Sequence, residues 1–228
     1  MEIITPLIPN WIHNSNDYFT MFDLKPEDFH GPVLDCPGGF STFNKSMHEQ
    51  DSAVVSVDSM YNLSALDMSK HIELVIEGLA DQLESHKKRI HYPNSQVPED
   101  IIKVWRGYAD EFLGDYSNGK AEDRYLSSDL QILPFENHQF NLALCPHLLF
   151  RNAQDPLPLL KEFLRVAVEV RLYPLLDKNG EVIDALGPSM LWMQEENLGV
   201  EVREIPYRMQ QGSNAMLRIW QKECEVDS

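Results

Sequence analysis

The sequence predicts an α/β fold: a mostly parallel sheet of seven strands with helices on both faces and an antiparallel hairpin at its C-terminal end. Two observations predict this fold. Short apolar runs alternate with helical patterns along most of the chain, which is typical of a parallel sheet covered by helices. Near the C-terminus, two apolar runs follow each other across a turn too short for a crossover, so we expect them to pair antiparallel.

Five apolar runs are predicted as the strands that precede the hairpin. They cover residues 33–35, 53–58, 124–129, 140–145 and 166–173. The first three end on an acid, and a proline follows each of the last two, where a strand ladder would lose a donor. Residues 200–207 and 215–222 then form the hairpin, joined by a polar turn.

Helical spacing of apolar residues places helices between these strands. The helix between the fourth and fifth strands has Asp155 as its cap, Pro156 at its first position and Leu160 on its buried side. A second helix is predicted over residues 188–197, ahead of the hairpin.

The connection between the second and third strands is longer than a simple crossover needs. Apolar residues recur there at helical spacing, and one of the two helices begins at Pro98 and ends at Gly114. We therefore expect a single domain of residues 1–228 with a helical insertion at about residues 62–120. This insertion is either extra helix packed on the body or a cap that selects the substrate.

The chain is strongly acidic, with a formal net charge of -17 over 228 residues. Such a chain repels phosphate backbones, so nucleic acid is a poor candidate partner. Three cysteines are too few and too scattered for a disulfide framework, and the sequence has no metal-ligand spacing. No signal peptide or membrane-spanning run is visible, so we expect a cytoplasmic protein without a membrane partner.

Residues 33–41 combine an apolar strand, an acid and a tight Pro-Gly-Gly turn ahead of Ser41. This pattern predicts a buried strand that turns sharply into a helix capped by Ser41. Gly38 and Gly39 place no side chain between a ligand and the backbone. A nucleotide-like cofactor could therefore lie against this turn, as in other strand-turn-helix sites.

Asp35, Asp58 and Asp129 stand at the ends of three consecutive predicted strands, where open α/β sheets bind ligands. An acid after the second strand suits the two hydroxyls of a ribose, because their spacing matches that of the carboxylate oxygens. The third acid could accept from the exocyclic amine of adenine, and the first could hold an ammonium group, directly or through water. Each acid alone is also a common helix cap or turn former, but the three in order favour a ligand with adenine, ribose and a cationic amino-acid end.

Over residues 33–222 the chain resembles the class I S-adenosylmethionine-dependent methyltransferases, whose fold is Rossmann-like. Residues 35–41 resemble the glycine-rich first motif of that family, Asp58 resembles its ribose-binding acid, and residues 128–145 resemble its adenine-binding loop and fourth strand. The tail of residues 211–217 is reminiscent of uncharacterised bacterial members.

The resemblance implies S-adenosylmethionine as the cofactor and a set of residues around it. Gly38 and Gly39 would pack near its methionine part, Met60 would lie along the adenine, and Cys145 and Pro146 would border the sulfonium. The cofactor-binding residues expected in this way are Asp35, Cys36, Pro37, Gly38, Gly39, Asp58, Ser59, Met60, Asp129, Leu130, Cys145 and Pro146.

Two departures from the family pattern bear on function. Pro37 and Ser41 replace two glycines of the usual first motif, and a proline fixes the turn while removing a donor. The fourth strand ends in Cys-Pro-His at residues 145–147, which differs from the motif of amino-group methylators. Methylation of nucleobase amines is therefore not supported.

Some residues have a structural and a functional interpretation. Cys36 and Cys145 lie on neighbouring predicted strands, where buried thiols more often pack than react. Tyr18, Phe19 and Phe22 precede the first strand and form either an aromatic wall over the cofactor or part of the core.

The resemblance implies methyl transfer to an acceptor, with a small molecule favoured over a protein side chain. Such transfer needs little acid-base machinery, because the sulfonium is already activated and positioning supplies much of the rate. His147 would face the crevice and is the candidate catalytic residue, as a proton acceptor. Two alternatives stay open: a protein that binds the cofactor without turnover, and a nicotinamide dehydrogenase, which the missing G-x-G-x-x-G pattern disfavours.

Overall fold

A computed structural model describes residues 12–85, 90, 98–147, 156–176, 181–208 and 211–222. The strands in this part of the chain are β1 Val33–Asp35, β2 Val54–Val57, β3 Tyr125–Leu126, β4 Phe140–Pro146, β5 Ala167–Tyr173, β6 Leu198–Glu204 and β7 Ala215–Gln221. The α-helices are α1 Ser15–Met21, α2 Phe43–His48, α3 Ala65–Ser85, α4 Pro98–Ala121, α5 Leu157–Val166 and α6 Leu186–Glu195.

The strands form one sheet in the order β3-β2-β1-β4-β5-β7-β6. β1 to β5 are parallel, and β7 lies antiparallel between β5 and β6. The predicted fold class, a mostly parallel sheet of seven strands with an antiparallel hairpin, is confirmed. The chain runs from β1 towards β3 and in the opposite direction from β4, so the carboxyl ends of β1 and β4 flank a switch point. Open α/β sheets bind ligands at such points.

Helices cover both faces of the sheet, as predicted. Along β4, Leu142 and Leu144 pack in one apolar cluster with side chains of α1 and α2. The neighbouring residues Ala143 and Cys145 pack in another cluster with side chains of α5 and α6. Successive side chains of a strand point to opposite faces, so a central strand covered on both sides is apolar at nearly every position.

The helices α3 and α4 lie between β2 and β3 and pack on each other around a third apolar cluster. α4 ends at Ala121 rather than at Gly114, so the predicted end of this helix is wrong. The helix continues because Tyr116 is buried beyond the glycine and packs against the rings of Phe112 and Tyr125. This packing outweighs the roughly 1 kcal/mol that a glycine costs inside a helix.

β3 is only two residues long, so the predicted strand over residues 124–129 is wrong in its extent. Leu126 O accepts from Asp58 N at 3.1 Å, and the chain then leaves the sheet. Beyond it, Asp129 Oδ1 accepts from Gln131 N at 2.9 Å and closes a local turn. Side-chain bonds of this kind offer the backbone an alternative to strand pairing, which explains the early end of β3.

The start of α5 also differs from the prediction. Pro156 is the N-cap of this helix rather than its first residue, and Leu157 begins it. The predicted cap, Asp155, lies outside the described residues.

The longest described helices carry charge along their length. α3 and α4 have 21 and 24 residues, with Asp67 in the first turn of α3 and Glu99 and Asp100 in that of α4. Within the described ranges, no helix combines the length and the apolar character needed to span a bilayer.

Candidate functional site

The turn after β1 brings the two predicted glycines against β2. Gly38 N donates to Val57 O at 3.0 Å, and a Cβ added at Gly38 would lie 2.8 Å from Ser56 Cβ and would overlap the Tyr61 hydroxyl. Gly39 has a φ of +56°, and a Cβ there would meet nothing within 4 Å. Packing therefore requires Gly38, whereas Gly39 supplies a left-handed backbone and open space that a ligand can approach.

The two residues that replace family glycines both support this turn. Pro37 is half-buried directly ahead of the glycines. The N-cap of α2 is Thr42, so the predicted cap at Ser41 is wrong by one residue. Ser41 is buried, and its Oγ accepts from Phe43 N at 3.0 Å, so the hydroxyl satisfies the first amide of α2. Both substitutions are compatible with a sharp turn from a strand into a helix.

Asp35 ends β1 and is almost completely enclosed, with 1% of its surface exposed. Tyr18 Oη donates to its Oδ1 at 2.9 Å, and Ser56 Oγ donates to its Oδ2 at 2.8 Å. Burial raises the pKa of Asp35 to about 7, with a smaller contribution from nearby Asp58, while the two hydroxyl bonds oppose the shift. The carboxyl therefore changes charge near neutral pH.

Asp58 follows β2 and joins its loop to the glycine turn. Its Oδ2 accepts from Gly39 N at 3.2 Å, and its Oδ1 accepts from Met60 N at 3.1 Å. Burial raises the pKa of Asp58, and the backbone bonds from Met60 and Gly39 partly offset that rise. Asp58 is thus a buried acid held at the edge of the open space beside Gly39.

The third predicted acid, Asp129, is exposed in the loop that follows β3. Ser127 Oγ of that loop donates to Ser59 O at 3.2 Å, which places the loop beside the segment after Asp58. The structure thus gathers Asp35 and Asp58 at one turn and puts the third acid in the neighbouring loop. Its contact with adenine stays a prediction.

Three other expected cofactor contacts lie in the same loops. Met60 and Leu130 are half-buried after β2 and β3, respectively, and Ser59 is exposed. These exposures are compatible with contact to a ligand, and the contacts themselves stay predictions.

Cys36 and Cys145 are buried at the switch point and are not joined in a disulfide, one directly after β1 and one near the end of β4. Cys36 N donates to Leu144 O at 3.0 Å, which continues the pairing of the two strands. Burial raises the pKa of the Cys36 thiol well above its usual range, and the neighbouring Cys145 adds to the shift. A thiol held neutral in this way is a poor nucleophile, so packing accounts for Cys36.

His147 follows Pro146 at the end of β4, with a φ of +59°. Its backbone N donates to Tyr173 O at 2.6 Å, and its ring Nε2 lies 3.0 Å from Nε2 of His13. The other ring nitrogen of His13, Nδ1, lies 3.2 Å from Tyr207 Oη. The predicted catalytic histidine is therefore one member of a network of two histidines and a tyrosine beside the switch point.

Sequence reasoning missed His13 and Tyr207. His13 is 4% exposed and lies 134 positions from His147 along the chain, so no local pattern links the two rings. The one local signal is the capping box between Asn14 and Asp17. This box fixes the start of α1 and therefore the position of His13, the residue before the cap.

Comparison with known proteins gives only distant similarities. No family model matches the chain. An uncharacterized protein of the archaeon Methanocaldococcus jannaschii is 23% identical over 174 residues, which cover 74% of this chain and 78% of that protein. The expected kinship with bacterial members therefore stays a prediction.

Two solved structures are similar to the chain at low sequence identity. A candidate S-adenosyl-L-methionine-dependent methyltransferase from Methanococcus maripaludis has a TM-score of 0.42 and 13% identity, covering 93% of this chain and 85% of that one. A SAM-dependent methyltransferase from Aquifex aeolicus has a TM-score of 0.42 and 13% identity, covering 90% of this chain and 91% of that one. The activities in these names belong to those proteins, and a function for this chain has to be argued from its own residues.

Proposed function

We propose that the chain binds S-adenosylmethionine at the turn after β1 and transfers its methyl group to an acceptor, a small molecule rather than a protein side chain. The observation that carries this proposal is that Asp35 and Asp58 meet at the turn formed by Gly38 and Gly39. Asp58 accepts from Gly39 N at 3.2 Å, and a Cβ on Gly38 would lie 3.1 Å from Asp35 Oδ2. Two acids around a glycine turn at a switch point suit a ligand with hydroxyls and a positive charge.

The residues present fit this cofactor in charge, and no described side chain covers the backbone at Gly39. The hydrogen-bond partners of the Asp35 and Asp58 carboxyls are hydroxyl groups and backbone amides. Burial disfavours the charged form of both acids, so a cationic ligand would stabilise them as carboxylates. The open space beside Gly39 gives such a ligand access to the backbone.

When bound, the cofactor supplies an activated methyl group on a sulfonium sulfur. Asp58 would accept from the ribose hydroxyls, because its oxygens lie at the edge of the open space. Asp35 is enclosed by Tyr18 and Ser56 and would act through its negative charge rather than through direct contact. The remaining requirement is an acceptor held in line with the methyl group, so positioning supplies most of the rate.

A protein that binds S-adenosylmethionine or S-adenosylhomocysteine without turnover is the second candidate. Pro37 and Ser41 stand where the family motif has glycines, and both oxygens of Asp35 are already bonded within the protein. These features favour contacts with the amino-acid end of the cofactor that differ from those of the family motif. The two candidates share one binding site and differ in turnover.

Isothermal titration calorimetry with S-adenosylmethionine, S-adenosylhomocysteine and NAD tests the binding site. We expect the first two to bind and NAD not to bind. Asp58→Asn should weaken S-adenosylhomocysteine binding about tenfold or more, because a charged hydrogen bond contributes about 1.5–3 kcal/mol. Asp110→Asn, at an exposed acid of α4, is the matched control and should bind like the wild type. Unchanged affinity of Asp58→Asn, or tighter binding of NAD, would contradict the proposal.

Turnover then separates the two candidates. The protein is incubated with methyl-labelled S-adenosylmethionine and either a metabolite extract or a protein extract, and the label is followed. We expect label in small molecules, while label in proteins would point to the second acceptor class. Binding without any transfer of label would support the non-catalytic candidate.

A further inference from the structure

The Tyr207, His13 and His147 side chains converge on one edge of the sheet from three separate parts of the chain. His147 follows β4, Tyr207 lies three residues after the end of β6, and His13 precedes α1. Tyr207 Oη is 3.2 Å from His13 Nδ1, and His13 Nε2 is 3.0 Å from His147 Nε2. The three groups therefore form a continuous hydrogen-bonded row.

The two imidazole rings meet nitrogen to nitrogen. Their planes are 4° apart and their centroids are 5.1 Å apart, whereas the facing Nε2 atoms are only 3.0 Å apart. The two nitrogens thus lie between the ring centres, as in an N–H···N hydrogen bond and unlike a face-to-face stack. Such a bond holds one proton, so one Nε2 donates and the other accepts.

The row has two neutral arrangements, which differ in the tautomer of both histidines and in the direction of both hydrogen bonds. In the first, the Tyr207 hydroxyl donates to His13 Nδ1, and His13 Nε2–H donates to His147 Nε2. In the second, His147 Nε2–H donates to His13, and His13 Nδ1–H donates to the Tyr207 oxygen. The Tyr207 phenol is neutral in both arrangements, because burial raises its pKa well above its usual range. The Tyr207 hydroxyl is one end of the row, so its loss alters the balance between the two tautomers at both histidines.

We propose that Tyr207, His13 and His147 are a proton-transfer row that receives the proton lost by the methyl acceptor, an inference that rests on the proposed function. The acceptor forms a bond to the methyl carbon, and the electron pair of the broken carbon–sulfur bond stays on sulfur. In the first arrangement the acceptor proton passes to the Tyr207 oxygen, the Tyr207 proton to His13 Nδ1, and the His13 Nε2 proton to His147 Nε2. His147 then carries the positive charge that the sulfonium has lost, so charge is conserved.

The surroundings suit a row that gains a positive charge. The Asp17 carboxylate Oδ2 lies 3.7 Å from His13 Nδ1. The rings of Tyr18 and Tyr173 pack edge-on against His13 and His147, at centroid distances of 6.2 Å and 5.6 Å. Among the described residues, the Asp17 carboxylate and the phenol rings of Tyr18 and Tyr173 lie beside the pair, and Asp17 is placed to stabilise a cation on it.

Nitrogen NMR of the protein labelled with ¹⁵N-histidine tests the row without any acceptor. Each neutral imidazole shows one protonated and one unprotonated nitrogen, and His13→Gln and His147→Gln assign the signals. In Tyr207→Phe the hydrogen-bond partner of His13 Nδ1 is lost, so we expect the nitrogen signals of both His13 and His147 to shift. Tyr173→Phe is the control: its hydroxyl bonds to Ser213 rather than to a histidine, and both rings should keep their signals.

Unchanged histidine signals in Tyr207→Phe, or a change confined to His13, would overturn the row. Calorimetry with S-adenosylhomocysteine on the same proteins separates this result from the proposed function. We expect Tyr207→Phe to bind the nucleoside like the wild type, because the row lies outside the glycine turn. No binding by the wild type would contradict the proposed function, while the NMR signals would still decide whether the row exists.

Discussion

The Tyr18 hydroxyl and the Asp35 carboxyl are joined by a hydrogen bond of 2.9 Å that ties α1 to the end of β1. Each of these residues has only 1% of its surface exposed. The second carboxyl oxygen accepts from Ser56 at 2.8 Å, so both partners of this buried acid are neutral hydroxyls. Ionisation of Asp35 is therefore costly to the fold, and this cost depends on pH.

The first prediction concerns the pH dependence of stability. The pKa of Asp35 is about 7 in the folded chain, above the value of about 3.9 for an unfolded aspartate, so the fold favours the protonated form. Stability from this group is complete below about pH 4 and is lost as pH rises towards about 7. Between pH 5.5 and pH 8 the loss amounts to about 2 kcal/mol. In Asp35→Asn this loss disappears, which urea unfolding at the two pH values measures.

Asp129→Asn is the control for that experiment, because Asp129 is an exposed acid at the same edge of the sheet. This variant should become less stable between the two pH values to the same extent as the wild type. If Asp35→Asn did so as well, another group would have to be responsible for the loss.

The second prediction separates the two glycines of the turn. Gly38→Ala places a Cβ 2.8 Å from Ser56 Cβ and against the Tyr61 hydroxyl, which itself donates to Gly39 O at 2.8 Å. Overpacking of this kind costs about 1–3 kcal/mol, so we expect a lower midpoint of urea unfolding. Gly39→Ala meets no neighbour and carries only the strain of its φ of +56°, about 1–2 kcal/mol.

Ligand affinity should also distinguish these two variants, with the larger effect at Gly39 instead of Gly38. The Cβ of Gly39→Ala enters the open space where the cofactor is proposed to lie, so this variant should lose S-adenosylhomocysteine affinity even where it is fully folded. Wild-type affinity in Gly39→Ala would mean that the ligand does not approach the turn from that side.

Local patterns were enough to predict much of the fold and part of the site. The apolar run into Asp35, the glycines after it and the acid at Asp58 lie within short segments whose strand and turn signals are strong. The parallel pairing of β1 with β2 and β4 then brings these segments to one edge of the sheet. Residues near strand ends were therefore predictable, because backbone pairing alone fixes where they meet.

Contacts made by side chains across long sequence separations were not predictable. Tyr18 and His13 come from the segment ahead of β1, and their partners were visible only after packing placed α1 on the sheet. The position of β7 between β5 and β6 was not predictable either, because a hairpin can pair with the sheet through either of its strands. The continuation of α4 past Gly114 reflects aromatic packing, which overrides a local stop signal.

The third prediction concerns Arg171, a buried cation of β5 that is 3% exposed. Its guanidinium donates to both carboxylate oxygens of Asp28, at 2.6 Å and 3.0 Å, and to Glu169 at 2.7 Å. Arg171→Met leaves the Asp28 carboxylate without this buried partner, so we expect a loss of about 3–5 kcal/mol in the free energy of unfolding.

Arg203→Met is the matched comparison for Arg171. Arg203 also bonds two acids, Asp23 and Glu201, each at 2.7 Å, but its side chain is 30% exposed. Exposed pairs contribute about 0–1 kcal/mol, so urea unfolding should show a much smaller loss. Equal losses in the two variants would contradict the role assigned here to burial.

The last prediction uses the glycines of α4 to test why this helix continues. Gly114 is exposed inside the helix, and an added Cβ would meet nothing within 4 Å, so Gly114→Ala should stabilise the protein by about 0.5–1 kcal/mol. Gly119 is buried, and its Cβ would overlap the Tyr125 ring, so Gly119→Ala should destabilise by about 1–3 kcal/mol. Thermal unfolding followed by circular dichroism measures both. If Gly114→Ala lowered the melting temperature, the backbone at this position would not be helical, and α4 would end where the sequence alone predicted.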